Sequence, residues 1–142
     1  MSEVVLDAGV AAKWWLTGKE ELRAEALDLL RRYAEGQVRF VVPDLFWPEL
    51  GNIFWKAVRQ KRCSRSLADG ALAQTRDQKF PTFSSRDLLA DAFAIAMKFD
   101  RTVYDSLYVA LAVGRKAELV TADERLANAL AAYLPVKWLG AI

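Results

Sequence analysis

Short β-branched runs alternate with segments of helical hydrophobic spacing along the whole chain. Val4-Val5-Leu6, Phe40-Val41-Val42, Phe80-Pro81-Thr82-Phe83, Leu119-Val120-Thr121 and Val136-Lys137-Trp138 read as strands. Leu22, Ala26, Leu29, Leu30 and Tyr33 repeat at helical spacing and stop before Gly36. Phe46, Leu50, Ile53, Phe54 and Ala57 do the same, with Pro48 tolerable in a first turn. Further helices are expected over Val10–Leu16, over Leu67–Thr75 from a cap at Ser64 or Ser66, and from Thr102 to about Arg115. Others are expected over Glu124–Ala132 and from a Ser85 cap, the latter with Leu88, Leu89, Ala92, Phe93, Ala96 and Met97 on one face. Strands alternating with helices predict an α/β fold, a parallel sheet covered on both sides, joined by right-handed crossovers. Pro81 confines its strand to an edge. At 142 residues the chain is read as one domain, residues 1–142.

Composition then narrows the chemistry. There is no histidine, and Cys63 is the one cysteine. That excludes Ser-His-Asp and Cys-His nucleophile systems, histidine-bearing or cysteine-rich zinc sites, and an intrachain disulfide. The longest strongly apolar run, Leu107–Val113, is far shorter than the roughly 20 residues of a membrane span. The first residues lack a basic region followed by an apolar stretch, so no signal peptide is expected and the default location is cytoplasmic.

In an open parallel sheet, ligands bind beyond the carboxyl ends of the strands. The polar residues placed there are acids. Asp7 follows the first strand, Glu49 the second, Asp105 opens the helix begun by Thr102, and Asp123 follows the strand ending at Thr121. Taken singly, each has an ordinary explanation as a helix cap or a first-turn acid, with Thr121 and Glu124 spaced as a capping box. Taken together they do not, because two lie in awkward places. Glu49 sits beside the apolar stripe of its helix. Asp105 leads into Ser106-Leu107-Tyr108-Val109-Ala110-Leu111-Ala112-Val113, apolar on nearly every side. Carboxylates converging near a core repel and lose solvation. A divalent cation relieves both, and oxygen-only donors favour Mg2+ or Mn2+. Such an ion can lower the pKa of a bound water and stabilise charge on a phosphate oxygen, which is phosphodiester hydrolysis.

Four segments carry a family resemblance: Val4-Val5-Leu6-Asp7-Ala8, Pro48-Glu49-Leu50-Gly51-Asn52-Ile53-Phe54-Trp55-Lys56-Ala57, Tyr104-Asp105-Ser106-Leu107-Tyr108-Val109-Ala110-Leu111-Ala112 and Leu119-Val120-Thr121-Ala122-Asp123-Glu124-Arg125-Leu126. In this order and at these separations the chain resembles the PIN-domain ribonucleases, most closely the VapC-type toxins of toxin–antitoxin pairs. The resemblance implies a three-layer α/β/α sandwich with strand order 3-2-1-4-5. It implies a metal-dependent nuclease in which Asp7, Glu49, Asp105 and Asp123 gather around one or two Mg2+ or Mn2+ ions. Asp7 and Asp105 match the most direct ligands, Glu49 and Asp123 complete the cluster, and Thr121 supports the acids. It implies an RNA substrate, an inhibiting VapB-type antitoxin, and a homodimer that forms a heterotetramer or larger assembly with that antitoxin. Gly9 departs from the pattern, since a small polar residue usually stands two after the first Asp.

The surface expectations are separate. Lys56, Arg59, Lys61, Arg62 and Arg65 form a run with no acid among them, read either as an RNA- or antitoxin-binding patch or as a solvated loop. Lys13, six residues after Asp7, is read as a phosphate contact or a solvent-facing lysine. Trp14 and Trp15 cannot share one helix face, so one is expected at a surface. An antitoxin groove formed partly by the first short helix and the Glu49 helix is expected. Ser106 lacks a base to activate it and is read as structural. The competing readings are a PIN-like RNA- or protein-binding module that does not cleave, and a nuclease without an antitoxin. A phospho-acceptor domain would need an acidic pair after the first strand, and a haloacid-dehalogenase phosphatase an Asp where Gly9 stands.

Overall fold

The computed structural model describes residues 1–142, in which five strands and seven α-helices alternate. The order is β1 (Ser2–Leu6), α1 (Ala8–Ala12), α2 (Arg23–Ala34), β2 (Val38–Pro43), α3 (Phe46–Arg59), α4 (Arg65–Asp77), β3 (Thr82–Phe83), α5 (Ser85–Phe99), α6 (Val103–Arg115), β4 (Glu118–Thr121), α7 (Glu124–Leu130) and β5 (Val136–Trp138). A 3-10 turn at Leu139–Ala141 follows. All strand pairs are parallel, and the sheet order is β3-β2-β1-β4-β5. The expected α/β sandwich and strand order are both present. β1 lies at the centre with Val4, Val5 and Leu6 buried, as an apolar run covered on two sides requires. β3 is two residues long and sits at the edge, and the carbonyl of Pro81 accepts from Val42 N at 3.0 Å.

The crossovers divide the helices. With right-handed connections, the progression β1 to β2 to β3 puts α1–α4 on one face, and the reversal to β4 and β5 puts α5–α7 on the other. Packing of α1 and α4 against α3, and of α5 against α6, agrees. The first face is held by an aromatic cluster. Phe40 stacks on Tyr33 at 4.8 Å and meets Phe80 edge-on at 5.6 Å, and Trp14 lies 5.8 Å from Phe40. The Trp14 indole donates to the Ala26 carbonyl at 3.0 Å, so this buried ring has its polar atom satisfied.

Three local expectations change, and those for Pro48 and Ser64 hold. The first helix runs Ala8–Ala12 and gives way to turns before Leu16, because Asp7 caps it earlier than Val10. Pro48 is the third residue of α3, inside its first turn. Ser64 caps α4 by accepting from Leu67 N at 3.0 Å. Ser85 does not cap α5. It is the first helical residue, its N–H donates to the Asp44 carboxylate at 3.1 Å, and its hydroxyl binds the same carboxylate. The apolar face of α5 is also split. Ala92 and Ala96 are buried and Leu88 is half-buried, whereas Leu89, Phe93 and Met97 remain 52, 56 and 70% exposed. Ala92 lets α5 approach Leu107 and Ala110 of α6, and that close contact turns the larger side chains outward.

Candidate active site

Asp7 closes β1 and caps α1. Its Oδ1 accepts from Gly9 N at 3.2 Å, and its Oδ2 accepts from the Thr121 hydroxyl at 2.9 Å and Ala122 N at 3.2 Å. The carboxylate therefore ties β1 to the end of β4. Thr121 Oγ1 in turn accepts from Asp123 N at 3.0 Å. The expected capping box from Thr121 to Glu124 is not formed. Thr121 is engaged by Asp7, and Asp123 is the cap of α7, accepting from Leu126 N at 3.1 Å. Glu49 stands in the first turn of α3 and Oε1 accepts from the Tyr108 hydroxyl at 2.5 Å. Asp105 stands in the first turn of α6, where Thr102 Oγ1 caps its N–H at 3.1 Å.

These acids, brought from four separate elements, line one cavity of about 110 Å3 with Tyr108, Leu119, Thr121 and Leu126. Burial pushes the pKa of Asp7 up against its three hydrogen bonds, and the Asp105 charge adds to this. Burial also raises Glu49, with Asp7 and Asp105 adding to it, while the Tyr108 hydroxyl opposes the rise. Asp105 is raised by burial and by Asp123, and opposed by the Thr102 hydrogen bond and the Arg101 charge. The pocket thus concentrates negative charge where solvation is poor, with Arg101 as a nearby counter-charge. The donors are oxygens without nitrogen or sulfur, a set suited to a hard divalent cation. As the side chains stand, no three carboxylates converge into a finished ligand set, so a cation would have to draw them inward.

Gly9 lies against this site. A Cβ there would stand 3.5 Å from Asp7 Oδ2 and 3.7 Å from the Ala122 Cβ, ordinary contact distances. The small residue leaves room that a hydroxyl could fill.

The cations expected to meet a partner are mostly engaged elsewhere. Lys13 is neither solvent-facing nor free for phosphate. It is 8% exposed, and Nζ donates to Glu20 at 3.0 Å and to the Glu21 carbonyl at 2.6 Å. The two turns after α1 bring Glu20 back over it. Arg62 also binds Glu20, and Arg65 pairs with Asp69 at 3.1 Å. Arg59 lies over the exposed Trp55 ring at 5.1 Å, and Lys56 and Lys61 are exposed. Trp14 is core and Trp15 partly buried. α1 and α3 pack on each other. An apolar groove lies between α3, the Glu49 helix, and α4, where Phe54, Trp55, Val58 and Leu72 are rimmed by Arg59, Arg65 and Asp69. Ser106 is fully buried with an unpartnered hydroxyl.

Tyr108 and Arg101 were not among the expected site residues. Tyr108 is hidden in an apolar run, yet its spacing of three from Asp105 puts both on one face of α6. Arg101 carries no such signal. It precedes the Thr102 cap, and its Nε is held by the Asp100 carbonyl at 2.9 Å.

A model of the PIN domain matches residues 4–130. The ribonuclease VapC3 of Pyrobaculum aerophilum is 30% identical over 128 residues, covering 89% of this chain and 93% of that protein. Two solved structures share the fold. A toxin–antitoxin complex from Klebsiella pneumoniae has a TM-score of 0.65 at 17% identity, covering 98% of this chain and 99% of that one. The sarcin-ricin loop cleaving toxin VapC20 of Mycobacterium tuberculosis has a TM-score of 0.65 at 14% identity, covering 92% and 95%. The family match spans all four acid-bearing junctions, and on it the chain belongs to the PIN-domain family, within its VapC type.

Proposed function

We propose that this chain is an endoribonuclease dependent on Mg2+ or Mn2+, and the toxin of a type II VapBC pair. The observation that carries the reading is the pocket itself: Asp7, Glu49, Asp105 and Asp123 meet at one sheet edge with too little positive charge to balance them. We read residues 1–142 as one PIN domain and the four acids as the ligands of one or two ions. When bound, an ion supplies Lewis acidity toward a water and toward the phosphate oxygens. The chain's own residues do the rest. Thr121 and the Gly9 and Ala122 N–H groups fix Asp7. Lys56, at i+7 from Glu49, extends from the same side of α3 toward an RNA backbone, and Arg59 follows it.

The relatives favour an antitoxin partner, and the α3–α4 groove with Trp55 and Arg59 offers it an apolar anchor site. The exposed stripe of Leu89, Phe93 and Met97 on α5 supports a homodimer. No helix is long and apolar enough to cross a membrane, in keeping with a cytoplasmic protein.

The test is cleavage of structured RNAs by purified protein with Mg2+ or Mn2+. Cleavage that stops with a chelator and is lost in Asp105→Asn supports the reading. Mn2+ binding without cleavage of any RNA would favour a non-cleaving module instead.

A further inference from the structure

We propose that Tyr108 is a positioning residue of the acid pocket, whose hydroxyl fixes the Glu49 carboxylate in place beside the other acids. The inference rests on the metal-site reading above and concerns a residue that carries no acid chemistry itself.

Tyr108 is 5% exposed and lies one turn along α6 from Asp105. Its hydroxyl donates to Glu49 Oε1 at 2.5 Å, and the backbone N–H of Ala8, next to Asp7, bonds to the phenol oxygen itself. One phenol thus touches the start of α1 and the acid of α3 while standing on α6. These are the elements that carry three of the four carboxylates. Glu49 needs such a tether. Asp7 and Asp105 both repel it, and no cation pairs with it. A glutamate has three rotatable bonds, so without a donor it would turn away from like charge toward solvent. The hydrogen bond takes Oε1 and leaves Oε2 for a cation.

A purely structural role would have Tyr108 fill space and satisfy its own polar atom. The two roles separate in a double-mutant cycle read by Mn2+ binding, using calorimetric or paramagnetic titration of wild type, Tyr108→Phe, Glu49→Ala and the double variant. Phe keeps the ring, so the fold is retained, which circular dichroism checks. Tyr108→Phe is expected to weaken Mn2+ binding about 10-fold, as loss of a residue orienting a ligand does. In the Glu49→Ala background the same change is expected to alter binding less than about 2-fold. Unchanged affinity in Tyr108→Phe overturns the inference alone, and so does an equal loss in both backgrounds. Absence of Mn2+ binding by the wild type overturns the metal-site reading and this inference with it.

Discussion

Asp7 combines two jobs that look like alternatives in the sequence. It caps α1 through Gly9 and belongs to the acid pocket. Asp123 likewise caps α7 while lining the cavity. Capping therefore does not argue against a site, because the dipole that a cap satisfies is also what lowers the cost of gathering carboxylates. Asp105 is different, since its side chain does not cap a helix end. Asp105→Asn removes a repelled charge, so it should abolish metal-dependent cleavage and raise the metal-free melting temperature by about 3 °C, for roughly 1 kcal/mol gained. Calorimetry and an RNA cleavage assay check the two halves. Gly9→Ser fills the open space beside Asp7 Oδ2 and replaces a poor helix former, so Mn2+ affinity should rise a few-fold with no loss of stability. Titration and a thermal melt decide it. Raised pKa values at Asp7, Glu49 and Asp105 mean that the folded chain holds these protons more tightly than the unfolded chain. Their contribution to stability is full below the ordinary carboxylate range and is lost as pH rises through the raised values. Without divalent cation the melting temperature should fall as pH rises above the ordinary carboxylate range, and saturating Mn2+ should flatten that fall. Glu3 acts oppositely. Arg115 and Arg39 hold it down at about 2, so its contribution is present above its unfolded value and lost as pH falls toward 2.

At the scale of elements, helix starts were legible where the cap is local and hidden where it is not. Ser64 and Thr102 cap helices that begin within a residue of them, and both were readable from spacing. Asp44 serves α5 from 41 residues away, a contact no local pattern encodes. Asp44→Ala should cost about 1 kcal/mol, measurable by urea denaturation, because it strips the N-terminus of α5 of its acceptor. The four acids were legible because each sits at a strand-to-helix junction, a position that sequence order alone defines. The burial of Lys13 is not legible in the sequence because its partner Glu20 is delivered by two turns of irregular chain. Tyr108 is not legible as a site residue because it stands in an apolar run that a buried helix alone accounts for.

For the molecule as a whole, strand alternation indicated the layers, while the full strand order came through the family resemblance. What periodicity could not supply was which side of an apolar helix meets the rest of the chain. In α5 Ala92 faces α6, and Leu89, Phe93 and Met97 are left outside. An antiparallel second copy crossing at Phe93 would set Leu89 against the other copy's Met97, and Asp87 near its Lys98, so the face is complementary to itself. If the proposed homodimer uses this face, Phe93→Asp, an exposed change, should leave a monomer by light scattering with an unchanged circular dichroism spectrum. The four carboxylates of the pocket are spread along the chain from residue 7 to residue 123. Anything that bridges them would close long loops and act as a removable fastener on the fold. Divalent cations would then slow global unfolding and proteolysis, and depleting them would loosen the chain as well as stop its chemistry.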